Sequence, residues 1–175
     1  MLHTAFFIIY RIFINFAAYQ GLRRSRSLDN IYFNLMLYIS RKEHFNAAHK
    51  LFNPAWSKEK NVEVFGPCAN DNWHGHNFDL IVTVKGSPDP ETGFVVDMKK
   101  LSTLIRTEVT EKLDHKNINL DVDFMKGKMA SCENLIVEIW KIIEKNLPGI
   151  TNRGKLHSIR LYETPRNYVE YFGGQ

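Results

Sequence analysis

Strict alternation of apolar and polar residues predicts that several segments of this chain are extended strands. Residues 76–85 alternate throughout, which is the period of a strand with one buried face. The buried face would carry Phe78, Leu80, Val82 and Val84. Residues 35–49, rich in aromatic and apolar side chains, predict another strand. Two shorter apolar runs, at residues 156–163 and 168–172, predict a hairpin that closes the chain.

Between these strands the apolar period changes to that of an amphipathic helix. Residues 98–113 carry an apolar stripe, and Asp97 before them is a suitable N-cap. A second stripe follows Ser131, another N-cap candidate, and ends at Pro148-Gly149. The predicted order is β-β-α-α-β-β. Because the connections within each half are short, we expect an α+β fold in which a four-stranded antiparallel sheet carries both helices on one face.

The first 35 residues differ from the rest of the chain. Residues 5–19 are apolar but include an arginine and an asparagine, and as a helix they would rise only about 22 Å against a hydrocarbon core of roughly 30 Å. We therefore expect no membrane association. Four arginines and a single acid fit a transit peptide loosely, and a true start at Met36 explains the segment equally well. We divide the chain into an N-terminal extension, residues 1–35, and one domain, residues 36–175.

Composition and charge exclude several classes of protein. A chain of 175 residues that is 44% hydrophobic and 24% charged suits one globular domain and excludes wholesale disorder or a polytopic membrane protein. Of the formal net charge of +4, the extension holds +3, so the domain lacks the basic surface of a nucleic-acid-binding protein. Two cysteines form at most one disulfide, so we expect a reducing compartment and a cytoplasmic protein, with mitochondrial targeting by the extension left open.

His74-Gly75-His76 is the strongest local sign of chemistry. Side chains two positions apart on an extended segment point to the same side, so the two imidazoles can hold one metal ion. His49, at the end of the first strand, is the natural third donor, and three protein donors with one open position are typical of catalytic zinc. His44 competes for this role, although five residues from His49 put it on the opposite face of the strand. A pair of ordinary loop histidines is the alternative to a metal site.

Three further groups have both a chemical and a structural interpretation. Cys68 lies within residues 61–73, a predicted surface loop, and is either a reactive thiol or a small buried side chain. Asp114-His115 follows the first helix, either as an acid that orients an imidazole for proton transfer or as a solvated helix end. Glu163 ends an apolar strand, where it either solvates the hairpin or pairs with a ligand that offers adjacent N–H groups.

Seven short stretches together resemble the 6-pyruvoyltetrahydropterin synthase family along essentially all of residues 37–173. They occur in the family's order and are far more specific together than any one alone. The stretches are FNAAHKL at 45–51, FGPC at 65–68, HGHN at 74–77, DPETG at 89–93, LDHKN at 113–117, EN at 133–134 and YET at 162–164. The resemblance implies the family's tunnelling fold, whose element order is the one predicted above.

The resemblance also implies an activity and a cofactor. The enzyme would be a zinc-dependent lyase that converts 7,8-dihydroneopterin triphosphate to 6-pyruvoyltetrahydropterin and releases triphosphate, on the path to tetrahydrobiopterin. His49, His74 and His76 would bind the zinc, which would act as a Lewis acid. A magnesium ion that accompanies the triphosphate is left open.

The same resemblance implies roles for residues around the metal. Cys68 would be the general base as a thiolate. Asp114 would hold the tautomer of His115, which would relay protons. Glu163 would bind the pterin ring through its N–H groups, with help from Glu133.

Two other functions remain open. A 6-carboxytetrahydropterin synthase of deazapurine biosynthesis shares the fold and the zinc site, but its loop before the HGH motif tends to be shorter than the five residues between Cys68 and His74 here. A non-catalytic zinc- or pterin-binding module is the other possibility, although structural zinc sites usually have four protein ligands. The chain departs from the family's pattern at Cys132, where a hydroxyl residue is usual.

The predicted sheet also has consequences for assembly. Helices on one face leave the other face and both edges of the sheet uncovered. A single sheet with helices on one side cannot bury the apolar side chains that we expect on the uncovered face. The resemblance implies a homo-oligomer in which trimers close into a twelve-stranded barrel and stack in pairs as a hexamer. Each active site would then combine zinc and Cys68 of one chain with Asp114-His115 of its neighbour.

Overall fold

The computed structural model describes residues 35–174, in which five strands form a sheet. The strands are β1 (Leu37–His49), β2 (His74–Gly86), β3 (Lys116–Asn117), β4 (Gly154–Tyr162) and β5 (Tyr168–Tyr171). Their order across the sheet is β3-β1-β2-β4-β5. The four predicted strands are confirmed and pair antiparallel, while β3 adds parallel to β1 at Ala47 and Ala48. Two residues are too few to show alternation, so the sequence pattern could not predict β3. The predicted extension lies almost wholly outside the described residues.

Three helices accompany the sheet. They are α1 (Lys58–Phe65), α2, and α3 (Cys132–Asn146), where α2 consists of Met98–Ile105, a π-helical turn at Arg106–Thr110 and a last turn at Glu111–Leu113. Both predicted N-caps are confirmed. The Asp97 carboxylate accepts hydrogen bonds from the N–H groups of Lys99 and Lys100, and the Ser131 hydroxyl accepts one from the N–H of Asn134. These bonds satisfy N–H groups that the first turn of a helix leaves without partners.

The core lies between the sheet and helices α2 and α3. Its fully buried members include Phe45, Phe78, Leu80 and Val82 from the sheet and Leu101, Ile105, Ile139 and Ile143 from the helices. Burial of one such side chain stabilises the fold by about 1.5–3 kcal/mol, so this layer fixes the strands that carry the functional residues. The architecture is the predicted α+β arrangement with helices on one face. None of the helices in residues 35–174 is long and apolar enough to cross a membrane.

The surface loop predicted over residues 61–73 is confirmed only for residues 70–73. The residues before it lie in α1 and in a 3-10 turn at Gly66–Ala69. Helix α1 has no apolar stripe. Its buried residue is Asn61, and both of its valines are exposed. The Asn61 amide donates to the carbonyls of Asn53 and Ser57, and its oxygen accepts from the Asn53 N–H. A helix held by a buried amide instead of apolar packing gives no hydrophobic period to detect.

The second face of the sheet carries ion pairs and aromatic side chains, the latter including Tyr162 and Tyr168, whose ring centroids lie 4.8 Å apart. Lys42 and Asp79 form an ion pair at 2.7 Å on adjacent strands. The Arg160 guanidinium donates to both carboxylate oxygens of Glu170, at 3.2 and 3.0 Å. Ile81 lies among these groups and is half-buried. Within residues 35–174, α2 and α3 pack on the opposite face, so this surface is available to a neighbouring chain.

Candidate metal centre and active site

Three histidines from β1 and β2 meet at one end of the sheet. His49 lies directly opposite His74 in the antiparallel register, and His76 follows two residues later on the same face. One nitrogen from each ring lies within 4.8 Å of the other two. The structure therefore brings together the three predicted metal ligands. His44, the competing candidate, is exposed on the other face of β1.

The three imidazoles are in the protonation state that a metal requires. Burial lowers the pKa of His49, His74 and His76, so the rings are neutral at pH 7. His49 Nδ1 donates a 2.7 Å hydrogen bond to the carbonyl of Ala130, which leaves a lone pair on Nε2. That Nε2, both ring nitrogens of His74 and Nε2 of His76 are buried and, within residues 35–174, have no hydrogen-bond partner. Because buried polar atoms are rarely left unpaired, this set of donors fits a bound cation.

We expect the metal-free domain to lose stability as the pH falls below about 6.5, the usual pKa of histidine. The three histidines have a lowered pKa in the folded chain, so they take up protons on unfolding, and acid favours the unfolded state. At higher pH both states are neutral and this contribution is constant. Thermal unfolding in EDTA between pH 8 and pH 5 measures the decline. A chain with both His74→Asn and His76→Asn should decline less steeply, and equal slopes would contradict this account.

Glu163 turns its carboxylate toward the three histidines. Its Oε1 lies 3.4 Å from Nε2 of His49 and 3.6 Å from Nε2 of His76, and the side chain is 26% exposed. Since both imidazoles are neutral at pH 7, these contacts are not ion pairs at that pH. The Glu163 N–H donates to the Asn167 carbonyl at 3.0 Å, which fixes the backbone just beyond β4. Glu163 is therefore part of the wall of the histidine site.

Helix α3 begins beside Glu163. Its first residue is Cys132, and burial, followed by the negative charge of Glu163, raises the pKa of its thiol. Glu133, the next residue, is exposed, and its charge acts on Cys132 in the same direction. Sequence patterns gave no signal for the influence of the Glu163 charge on Cys132. The sequence also gives no sign of the hydrogen bond from His49 to the Ala130 carbonyl, because every residue has a backbone carbonyl and none is marked as the acceptor.

Asp114 and His115 are fixed to the edge of β1, three residues before His49. Asp114 Oδ1 accepts a 2.8 Å hydrogen bond from the Asn46 N–H, and the His115 N–H donates to the Asn46 carbonyl at 2.6 Å. The bond from Asn46, with a smaller contribution from His115, lowers the pKa of Asp114. Asp114 Oδ2 lies 2.9 Å from His115 Nδ1, and the His115 side chain is 79% exposed. The Asp114 carboxylate is thus placed to orient the His115 imidazole, and the pair faces outward from its own chain.

Cys68 lies in the 3-10 turn at Gly66–Ala69, half-buried and with a free thiol. Its carbonyl accepts a 2.9 Å hydrogen bond from the N–H of Leu51, two residues beyond His49. The turn therefore runs beside the end of β1 that carries a histidine of the cluster. The predicted general base and the predicted metal ligands lie at the same end of the sheet.

Comparison with known proteins agrees with this geometry. The family model described as 6-pyruvoyl tetrahydropterin synthase matches residues 38–174. The chain belongs to this family. As a member it is an enzyme, a lyase of tetrahydrobiopterin biosynthesis, as the motifs predict.

Individual members of the 6-pyruvoyl tetrahydropterin synthase family are similar over most of the domain. The 6-pyruvoyl tetrahydrobiopterin synthase of Pongo abelii is 39% identical over 135 residues, which are 77% of this chain and 90% of that protein. The solved structure of the Caenorhabditis elegans 6-pyruvoyl tetrahydropterin synthase superposes with a TM-score of 0.71 at 32% identity, covering 80% of this chain and 97% of that one. A 6-carboxy-5,6,7,8-tetrahydropterin synthase of Bacillus subtilis is 24% identical over 76% of this chain and 83% of its own length. The similarity is therefore stronger to the pyruvoyl enzymes.

Proposed function

We propose that this enzyme converts 7,8-dihydroneopterin triphosphate to 6-pyruvoyltetrahydropterin and releases triphosphate, with one zinc ion held by His49, His74 and His76. The observation that carries the proposal is the cluster of three neutral imidazoles beside the carboxylate of Glu163, with buried ring nitrogens that have no hydrogen-bond partner within residues 35–174. The imidazoles suit a metal ion, and the carboxylate suits a ligand with adjacent N–H groups, such as a pterin ring.

Zinc is the metal that this set of donors favours. Imidazole nitrogens suit zinc better than magnesium or calcium, which prefer oxygen ligands. Three protein donors leave a position open for substrate. When bound, zinc would supply Lewis-acid stabilisation of negative charge on the side-chain oxygens of the substrate. The hydrogen bond from His49 to Ala130 would keep that ring in the tautomer that a metal ligand needs.

We assign the proton transfers of the reaction to Cys68 and His115, with Asp114 orienting His115. Cys68, as a thiolate, would take a proton from a side-chain carbon of the substrate. The electron pair of the broken C–H bond would form a double bond and expel triphosphate. Further proton shifts would oxidise the remaining hydroxyl-bearing carbon while reducing the C=N bond of the dihydropterin ring, which gives the diketone and the tetrahydropterin without any external oxidant. His115 would carry these protons on Nε2, because the contact with Asp114 holds the proton on Nδ1.

Glu163→Gln is expected to weaken pterin binding about tenfold while kcat falls much less, because a neutral amide accepts from two N–H donors less well than a carboxylate does. Steady-state kinetics and fluorescence titration with neopterin measure the two effects. Glu111→Gln, at an exposed glutamate on α2, is a matched control that should leave both constants within about twofold. An unchanged neopterin affinity in Glu163→Gln would place the pterin elsewhere.

The proposed assembly is a hexamer of two stacked trimers, with each active site completed by a neighbouring chain. Two features support it: the polar and aromatic second face of the sheet, and the exposed pair Asp114-His115 at the edge of β1. Closure of sheets into a barrel would cover that face and pair the edges.

The site of action is proposed to be the cytoplasm, which imaging of the full chain fused to a fluorescent protein would test.

Identification of the product tests the proposed reaction directly. The purified chain, loaded with zinc, is incubated with 7,8-dihydroneopterin triphosphate, and the pterin product is identified by mass spectrometry. We expect the 6-pyruvoyl product together with free triphosphate. A 6-carboxy product would assign the chain to the other branch of the fold, and binding without turnover would indicate a non-catalytic module. Protein treated with a chelator serves as the control and should be inactive until zinc is restored.

A further inference from the structure

Asn61 is a buried polar side chain that belongs neither to the apolar core nor to the site described above. It is 1% exposed and lies on α1. Its Oδ1 accepts a 2.7 Å hydrogen bond from the Asn53 N–H, and its Nδ2 donates to the carbonyls of Asn53 and Ser57 at 3.0 and 2.9 Å. A buried amide with its acceptor and both donors in use fixes the backbone segments that it joins. Asn61 therefore fastens α1 to the segment that leaves β1.

The same helix leads directly to the thiol that we propose as the general base. Helix α1 continues without a break into the 3-10 turn at Gly66–Ala69, which contains Cys68. The Cys68 carbonyl accepts a 2.9 Å hydrogen bond from the Leu51 N–H. Leu51 lies two residues beyond His49 and two before Asn53. Contacts at Leu51 and at Asn53 therefore hold the turn and its helix against the end of β1 that carries a proposed metal ligand.

Apolar packing offers little to replace the amide. Val62 and Val64 of α1 are about half exposed. Trp56 stacks on Phe65 with ring centroids 5.8 Å apart, but Trp56 is itself exposed, so this pair lies at the surface. A single hydrogen bond to the turn leaves it free to pivot, whereas a second attachment on the helix fixes its orientation. A base displaced by about 1 Å can lose on the order of a hundredfold in rate, so this orientation matters for a proton transfer.

We propose that Asn61 is a positioning residue for the general base, whose amide anchors α1 so that the Cys68 thiol is held in place beside the histidine cluster. The inference rests on the proposed role of Cys68. Asn61 acts through the helix and the turn and does not itself contact the substrate. Asn61→Ala removes both the acceptor for the Asn53 N–H and the donors to the two carbonyls.

Steady-state kinetics on 7,8-dihydroneopterin triphosphate, with zinc-loaded full chain, test the inference. Asn61→Ala is expected to lower kcat about tenfold, because the base is misplaced. KM, zinc content and neopterin affinity should stay within about twofold, because the groups proposed to bind metal and pterin are unchanged. Val62→Ala, at the next and exposed position of α1, is the local control and should leave kcat within about twofold.

Two further chains separate positioning from a general loss of stability. Ile143→Ala opens a cavity in the core beneath α3, so it should lower Tm at least as much as Asn61→Ala while kcat stays within about twofold. In a chain that already carries Cys68→Ala, Asn61→Ala should lower the residual kcat no further, because the group that it positions is gone.

Each result bears on one claim. An unchanged kcat in Asn61→Ala would overturn the inference, and so would equal fold losses in the parent and in the Cys68→Ala background. A loss of kcat in Ile143→Ala as large as that in Asn61→Ala would attribute the effect to stability and would also overturn it. Near-normal turnover by Cys68→Ala alone would instead overturn the role proposed for Cys68. If Asn61→Ala does not fold, Asn61→Leu keeps the number of side-chain heavy atoms without the polar groups, and the same tenfold loss is expected.

Discussion

Chains carrying His74→Ala or His76→Ala are expected to lose bound zinc and, with it, nearly all activity. Each substitution removes one of three donors from a site in which His49 Nε2, both ring nitrogens of His74 and His76 Nε2 have no hydrogen-bond partner within residues 35–174. Zinc binding by small four-ligand sites is worth about 10–16 kcal/mol, so one ligand accounts for roughly 3 kcal/mol and its loss for about a hundredfold in affinity. Elemental analysis after dialysis, with activity on 7,8-dihydroneopterin triphosphate, measures both losses.

The matched control for these two chains is His44→Ala. His44 is a histidine of the same strand as His49, but it is exposed on the opposite face of the sheet. Its removal should leave about one zinc per chain. Full zinc occupancy in a chain with both His74→Ala and His76→Ala would end the assignment of the metal to this cluster.

Co-expression of inactive Cys68→Ala and inactive His115→Ala chains is expected to restore part of the activity. Alone, each variant lacks one acid–base group and should lose on the order of a hundredfold to ten-thousandfold in turnover. If an active site takes Cys68 from one chain and His115 from its neighbour, random mixing completes about a quarter of the sites. The exposure of His115 at the edge of β1 is the structural reason to expect this sharing.

The control for co-expression is the same two proteins purified separately and mixed under conditions that prevent subunit exchange, where activity should stay at the level of the variants. Light scattering must first establish that the chains form oligomers, and mass spectrometry that both variants are present in them. A monomeric mass, or no recovery in oligomers shown to be mixed, would mean that each site is built from a single chain.

The features that the sequence predicts well are those with a period or a cap. Alternation in residues 76–85 locates β2, and Asp97 and Ser131 locate the starts of α2 and α3. The spacing of His74 and His76 puts both rings on one side of the sheet by strand geometry alone.

The features that the sequence misses depend on single contacts or on the backbone. Helix α1 is organised around the buried amide of Asn61, and β3 has only two residues. The acceptor for His49 is a backbone carbonyl, that of Ala130, which any residue could supply. The effect of the Glu163 charge on the Cys132 thiol relates residues that are far apart in the chain and that no period connects.

The hydrogen bonds at Asn46 limit how far another strand can extend along β1. Both main-chain groups of Asn46 are already used, the N–H by Asp114 and the carbonyl by His115. A strand that adds to this edge from another molecule can therefore form its ladder only with the part of β1 before Asn46, and must end or turn away there. Its terminus would lie next to the imidazole of His115, so the two hydrogen bonds at Asn46 limit which residues of β1 a strand of a neighbouring chain can pair with.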